Sequence, residues 1–203
     1  MRYPRTIIFV DLSGFTSFIQ RTDDEQAKAM LKDFREVSRD LASEVGVRID
    51  KFLGDGFMAI AVDQNAGVVF SLELQRRFAE RLGELRLRIG ITSGDIILFE
   101  GEDYIGDAPN MASRLCDEAA NYGILLPTEQ AVHLPEGITA EPIGYFSLRG
   151  FDQPVHAFNN LFVVDALSSI LKSVACLAVF ATLIYSKQLV ILPATWSHSH
   201  LLI

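Results

Sequence analysis

The chain has 203 residues and a formal charge of −8, and Lys172 and Lys187 are the two charged residues beyond Asp165, so the first 165 residues carry −10. That balance argues against a nucleic-acid surface, while the length suits one well-filled domain with something appended. A nucleotide is not excluded, because metal ions and a few local cations can meet a triphosphate on an acidic protein.

The run TIIFV is β-branched and continuous, as a buried strand should be, and it ends in Asp11 and the turn DLSGFT, where Ser13 is placed to cap a helix. Few residues precede this strand, which leaves no room for a signal peptide and predicts a cytoplasmic domain. From Asp23 to Gly46, apolar residues recur at helical spacing, with Gly46 where a C-cap glycine belongs. VRIDKF and GFMAIAV are short apolar runs separated by LGDG, whose Asp-Gly dipeptide favours a two-residue hairpin with Asp55 at its tip.

A second helix is expected around Val68 to Leu82, and LRLRIGITSGDIILFE then alternates like a strand before a second, more apolar run. The order βαββαβ predicts an α+β fold: a ferredoxin-like sandwich whose antiparallel-rich sheet has helices packed on one face, with strands one and two as neighbours. Asp11 and Asp55 would then converge. Downstream, APNMASRL reads as helical, followed by a further helix, the apolar run ILLP, and two late strands near YFSLRG and VHAFNNLFVV.

Asp11 and Asp55 suit Mg²⁺, which takes one or two carboxylates and completes its shell with water and substrate phosphates. Each alone could equally be a cap or a turn residue. Ser13, Gly14, Phe15 and Thr16 form a helix entry whose free backbone N–H groups favour a phosphate, and GxxxxGK[ST] is absent, so a P-loop is disfavoured. Asn110 and Arg114 are four apart and share one helical face, with Met111 and Leu115 packing on the other side; Arg114 offers a planar fork of donors to a phosphoryl group. Lys51 and Asp103 could read adenine, whose amino donor suits a carboxylate and whose ring nitrogens suit an ammonium.

Other chemistries have little to stand on. His133 and His156 are isolated, His198 and His200 lack a third ligand, and GxSxG, HExxH and CxxC are absent. Cys116 and Cys176 read as free thiols in a reducing compartment. A diguanylate cyclase or polymerase palm would share the sandwich, but neither a GGDEF-like hairpin nor a basic template groove is present.

Taken together, FVDLSGFTSF, DKFLGDGFMAI and DYIGDAPNMASRL resemble the class III adenylate and guanylate cyclase catalytic domain, over roughly Thr6 to Val164. The resemblance implies two Mg²⁺ or Mn²⁺ ions per active site at Asp11, Leu12 and Asp55. It also implies adenine selection by Lys51 and Asp103, and action on ribose and phosphate by Asn110 and Arg114. The implied reaction converts ATP to 3′,5′-cyclic AMP and pyrophosphate in intracellular signal transduction. The implied partner is a second copy, arranged head to tail, so that Asp11 and Asp55 of one chain face Lys51, Asp103, Asn110 and Arg114 of the other. Pro109 departs from the small aliphatic residue usual in that family and stiffens the approach to Asn110, and the stretch GDIILFEGEDYIGD is shorter than in many members. Alternatives are a guanylate cyclase, or a weak or inactive cyclase-like domain that binds nucleotide in a regulatory role.

These features divide the chain into a catalytic domain over 1–164 and an apolar tail over 165–203. SVACLAVFATLIY and QLVILPATW lack charge, which makes residues 173–197 a candidate membrane contact. A dimerisation helix and an extension without selected function are the other readings of the tail.

Overall fold

Thr6 to Val10 are the most deeply buried part of β1 (Tyr3–Ser13), the strand on which the rest of the sheet is organised. Its neighbours are β3 (Gly56–Ala61) and β4 (Arg86–Phe99), both antiparallel, and β2 (Arg48–Leu53) lies beyond β3 at the edge. Strands one and two are therefore not neighbours; β3 stands between them. The computed structural model describes residues 2–82, 85–100, 103–119, 123–131 and 134–163. The apolar tail, its candidate span over residues 173–197, Cys176, His133, His198 and His200 lie outside the described residues. None of the described helices is long and apolar enough to cross a membrane.

Between β1 and β2 run the short α1 (Phe15–Ile19) and the long α2 (Asp24–Val45). The Asp23 carboxylate caps α2 by accepting from the Gln26 N–H, and Gly46, at φ 71°, ends it in the left-handed conformation that glycine adopts without penalty. The cap expected at Ser13 does not form: Ser13 is the last residue of β1, and Gly14 occupies the N-cap of α1 with no side-chain bond. In the β2–β3 hairpin Leu53 pairs with Gly56, so the turn residues are Gly54 and Asp55, and the positive φ of 66° falls on Gly54 rather than on the Asp-Gly dipeptide.

After β3 come α3 (Gln64–Leu82), β4, the short β5 (Asp103–Ile105), α4 (Asp107–Glu118) and β6 (Ile124–Pro127). β4 is one continuous 14-residue strand rather than two runs, and its far end doubles back as a hairpin with β5. The further helix expected between α4 and ILLP falls on a stretch of which residues 120–122 lie outside the described residues, and the four-residue α5 (Thr128–Ala131) follows β6. β7 (Ile138–Phe146) and β8 (Val155–Val163) complete a sheet of order β2-β3-β1-β4-β6-β8-β7, mixed because β6 runs parallel to β4. The βαββαβ core and the α+β class are as expected.

Strand alternation decides which residues meet which helix. Ile8, Val10, Leu12, Phe57, Ala59, Leu87, Ile89 and Ile91 face α2 and α3, where Phe34 sits 5.5 Å from the Phe57 ring and 5.8 Å from that of Phe78. Ile7, Met58, Ile60 and Ile96 point to the opposite face, onto Ala108 and Ala112 of α4. Helices thus cover both faces of the sheet, not one. Gly90 sets how closely α4 packs: a Cβ there would lie 2.0 Å from the Ala112 carbonyl oxygen and 2.5 Å from the Cys116 nitrogen, so only glycine lets α4 lie this close to β4.

Candidate active site

Asp11 sits on the α4 face of β1, with Gly56 of β3 on one side and Arg88 of β4 on the other, each its register partner. Arg88 grips one carboxylate oxygen, with Nε and Nη2 at 2.7 and 2.6 Å from Oδ2. The other oxygen faces Gly56, where an added Cβ would come within 2.9 Å of Oδ1 and 2.5 Å of the Val10 carbonyl. Glycine at 56 therefore keeps Oδ1 open. Asp55, one residue earlier, makes no hydrogen bond or ion pair among the described residues, and its charge is felt at Asp11.

Burial raises the Asp11 carboxyl above the usual carboxylate range; Arg88 opposes that shift, and the neighbouring charges of Asp55 and Asp117 add to it. A half-buried carboxylate with one open oxygen, next to an unpaired second carboxylate, has the chemistry of a hard-cation site. The side chain of Leu12 is buried in the core, so only its backbone carbonyl could join the two aspartates as a ligand. Among the described residues no cluster of three or more His, Cys, Asp or Glu is arranged to hold a metal ion. Further ligands would therefore come from backbone, water or substrate oxygens.

Just beyond Asp11, Phe15 turns its ring into the core, stacked on Phe18 at 6.1 Å. The amides of Phe15 and Thr16 precede the first helical bond, from the Phe18 N–H to the Gly14 carbonyl. This leaves backbone donors, not the Phe15 side chain, to face a phosphate.

A second group of candidates lies along β2 and β5. The Lys51 Nζ donates to Asp103 Oδ1 at 2.8 Å, although the two residues are 52 apart in sequence. Folding thus puts an ammonium and a carboxylate side by side on the partly exposed rim of the sheet.

The third group is on α4. Asn110 is exposed and donates to the Gly106 carbonyl at 3.2 Å, and Arg114 pairs with Asp117 at 3.3 Å; both are long contacts within the helix and its N-cap. Leu115 is fully buried with Met111 packed beside it, so the expected division of the α4 surface holds. Pro109 falls at the third helical position, where its missing N–H has no intrahelical acceptor to lose. Among the described residues, neither a hydrogen bond nor an ion pair joins Asn110 or Arg114 to Asp11 or Asp55 within one chain. His156 stands apart, stacked on Tyr145 at 4.5 Å.

The sequence reading missed Arg88. Its residue type was visible as a charge inside the apolar alternation LRLRIG, but its partner appears only with the β1–β4 register.

Comparison with known proteins bears on this arrangement. A family model described as the adenylate and guanylate cyclase catalytic domain matches residues 3–160. The chain belongs to that family. An uncharacterised protein of Mycobacterium tuberculosis is 33% identical over 150 residues, which are 74% of this cyclase domain's chain and 39% of that protein. An adenylate cyclase of Streptomyces coelicolor is 32% identical over 126 residues, 62% of this chain and 33% of that enzyme. The chain thus spans well under half the length of these curated relatives. The crystal structure of the adenylyl cyclase CyaB from P. aeruginosa superposes with a TM-score of 0.67 at 26% identity, covering 82% of this chain and 96% of that one. The molecule is a nucleotide cyclase domain, of a family that generally uses two divalent metal ions.

Proposed function

We propose that this cyclase domain is an adenylate cyclase that converts ATP to 3′,5′-cyclic AMP and pyrophosphate at sites shared between two copies of the chain. The observation that carries the choice of base is the Lys51–Asp103 pair at 2.8 Å. An ammonium beside a carboxylate complements the ring-nitrogen acceptor and amino donor of adenine, whereas guanine presents the reverse pattern. The named activity of the Streptomyces relative supports the same reading.

Asp11, the Leu12 carbonyl and Asp55 would hold two Mg²⁺ or Mn²⁺ ions. Bound there, the metals supply activation of the ribose 3′-oxygen and neutralise charge on the triphosphate. Arg88 fixes the Asp11 carboxylate so that Oδ1 points to the open side. Asn110 positions the ribose, and Arg114 brings its fork onto the phosphoryl group as the 3′-oxygen bonds to the α-phosphorus, the hydroxyl proton passes to solvent and pyrophosphate leaves. The amides of Phe15 and Thr16, at the turn formed with Ser13 and Gly14, receive the phosphates.

Asn110 and Arg114 make no hydrogen bond or ion pair with Asp11 or Asp55 within one chain, which is in keeping with a head-to-tail homodimer in which α4 of one copy completes the metal site of the other. Leu53, Leu98 and Phe99 are exposed apolar residues near the tips of the β2–β3 and β4–β5 hairpins, with exposed Ile105 at the far end of β5, and they supply an adhesive surface for that contact. The test is product formation by purified protein from ATP and from GTP, each with Mg²⁺ and with Mn²⁺, beside an Asp55→Ala control. Cyclic AMP that disappears in the control is the expected result; a wild-type protein that makes none overturns the proposal.

A further inference from the structure

A cleft of about 400 Å³ opens on the α4 face of the sheet, at the opposite end of β1 from Asp11. Arg5 and Asp11 are six residues apart on that strand, roughly 20 Å at an extended rise. The volume lies in the range of small-molecule sites. Its floor is apolar, formed by Ile60 and Ile96 of the sheet, with Tyr3 and Tyr104 as aromatic walls, and its edge reaches Leu98, which belongs to the dimer contact proposed above. Two guanidinium groups, those of Arg5 and Arg48, stand at its rim.

The charges are disposed for an anion. Arg5 donates to the Pro4 carbonyl and has no carboxylate within ion-pair distance among the described residues, in a protein whose formal charge is −8. Arg48 pairs with Asp50 at 2.9 Å, donates to the Tyr104 hydroxyl and lies over the Tyr104 ring at 5.8 Å. Neither arginine belongs to the machinery assigned above.

The cleft also shares its supports with the base-reading pair. Arg48 and Lys51 are both on β2, and Tyr104 and Asp103 are adjacent on β5. The three-residue β5 is held by its pairing with β4, by Arg48 against Tyr104 and by Lys51 against Asp103. A ligand that engages Arg48 and Tyr104 necessarily bears on the position of Asp103.

We propose that this cleft is a regulatory site for a small amphipathic monocarboxylate, whose carboxylate is received by Arg5 and Arg48 and whose apolar body lies on Ile60 and Ile96 between the tyrosines. Occupancy fixes β5, and with it the Lys51–Asp103 pair. The regulatory half rests on the reading of that pair as base contacts; the binding half does not.

The probe is decanoate, below its micellar concentration, titrated calorimetrically into the full chain, with decanol and decyltrimethylammonium as neutral and cationic counterparts. Binding of decanoate alone is expected, weakened roughly tenfold in Arg5→Gln through loss of a charge-assisted contact. Arg5→Gln alters a residue with little structural duty, so it should fold; its thermal midpoint checks this, and Arg48→Gln gives an independent second variant. Hydrogen exchange at the amides of residues 103–105 reads the coupling without turnover, and slower exchange with decanoate is expected. Failure of decanoate to bind, equal binding of decanol, or undiminished binding in both arginine variants overturns the site. Binding that leaves exchange at 103–105 unchanged overturns its regulatory role. An enzyme silent toward ATP but protected at β5 by decanoate would leave the site standing and count against the adenylate cyclase reading alone.

Discussion

Gly90→Ala tests whether α4 is held where catalysis would need it. The new Cβ would sit 2.0 Å from the Ala112 carbonyl oxygen and 2.5 Å from the Cys116 nitrogen, where real Cβ contacts essentially never fall below 3.0 Å. Both obstructing atoms are helix backbone, so no side-chain rotation relieves the clash, and α4 must withdraw from β4 by about 1 Å. Overpacking of this kind costs about 1–3 kcal/mol, which in a domain of this size lowers the thermal midpoint by roughly 2–12 °C. Arg114 lies between the two obstructed positions, and a displacement of about 1 Å at a reacting group can cost on the order of 100-fold in turnover. Urea unfolding followed by circular dichroism gives the first quantity, and initial rates of cyclic nucleotide formation give the second. Gly137→Ala is the control: nothing lies within 4 Å of its added Cβ, although its φ of +79° makes the substitution mildly strained, and its turnover should be unchanged. Wild-type stability and turnover in Gly90→Ala would refute the seating of α4 on β4.

Further outcomes follow from the same geometry. Gly56→Ala brings a methyl within 2.9 Å of Asp11 Oδ1, so the stabilisation that millimolar Mn²⁺ gives the wild-type protein in a thermal scan should be largely lost; an undiminished shift would show that Oδ1 takes no part in holding metal. Burial raises the Asp11 carboxyl, so its charged form is already disfavoured by folding: the strain is absent well below the ordinary carboxylate range and grows as pH rises through it. Metal binding relieves that strain, so the Mn²⁺-induced rise in thermal midpoint should shrink as pH is lowered from 7.5 to 5, and a pH-independent rise would contradict the assignment. The Lys51–Asp103 pair is largely exposed and worth at most about 1 kcal/mol, so Lys51→Glu with Asp103→Cys should fold normally while its ATP:GTP rate ratio moves toward GTP. An unchanged ratio would remove these residues from base selection.

Much of this architecture is legible in the linear chain because local chemistry and global fold agree. TIIFV could be little other than a buried strand, the apolar spacing and terminal Gly46 delimit α2, and the doublet of apolar runs around Gly54-Asp55 announces a hairpin. Asp11 and Asp55 were legible for a related reason, since polar groups that end apolar runs have few structural duties to explain them, whereas Lys51, Asp103, Asn110 and Arg114, inside or beside their elements, stood out through the family resemblance. What stayed hidden depends on contacts between elements distant in sequence. The close seating of α4 on β4 depends on the absence of a side chain at Gly90, which in the sequence is one glycine among 14. Arg88 looks like one more polar residue of an alternating strand until the β1–β4 register sets it opposite Asp11. The cap expected at Ser13 fails because β1 extends through that residue, leaving Gly14 to turn the chain.

Complementation measures most directly whether each cyclase site is built from two chains, as proposed. Asp55→Ala removes a carboxylate proposed to hold metal and Arg114→Ala removes the arginine proposed to meet the phosphate, so each homodimer should be inactive. Mixed in equal amounts and allowed to exchange, half of the dimers pair one variant with the other, and each such dimer holds one undamaged site and one doubly damaged site. Cyclic AMP formation should therefore return to about a quarter of the wild-type rate. A mixture that stays inactive under conditions where dimers demonstrably exchange, beside an active wild-type protein, would place the whole site within a single chain and contradict the account.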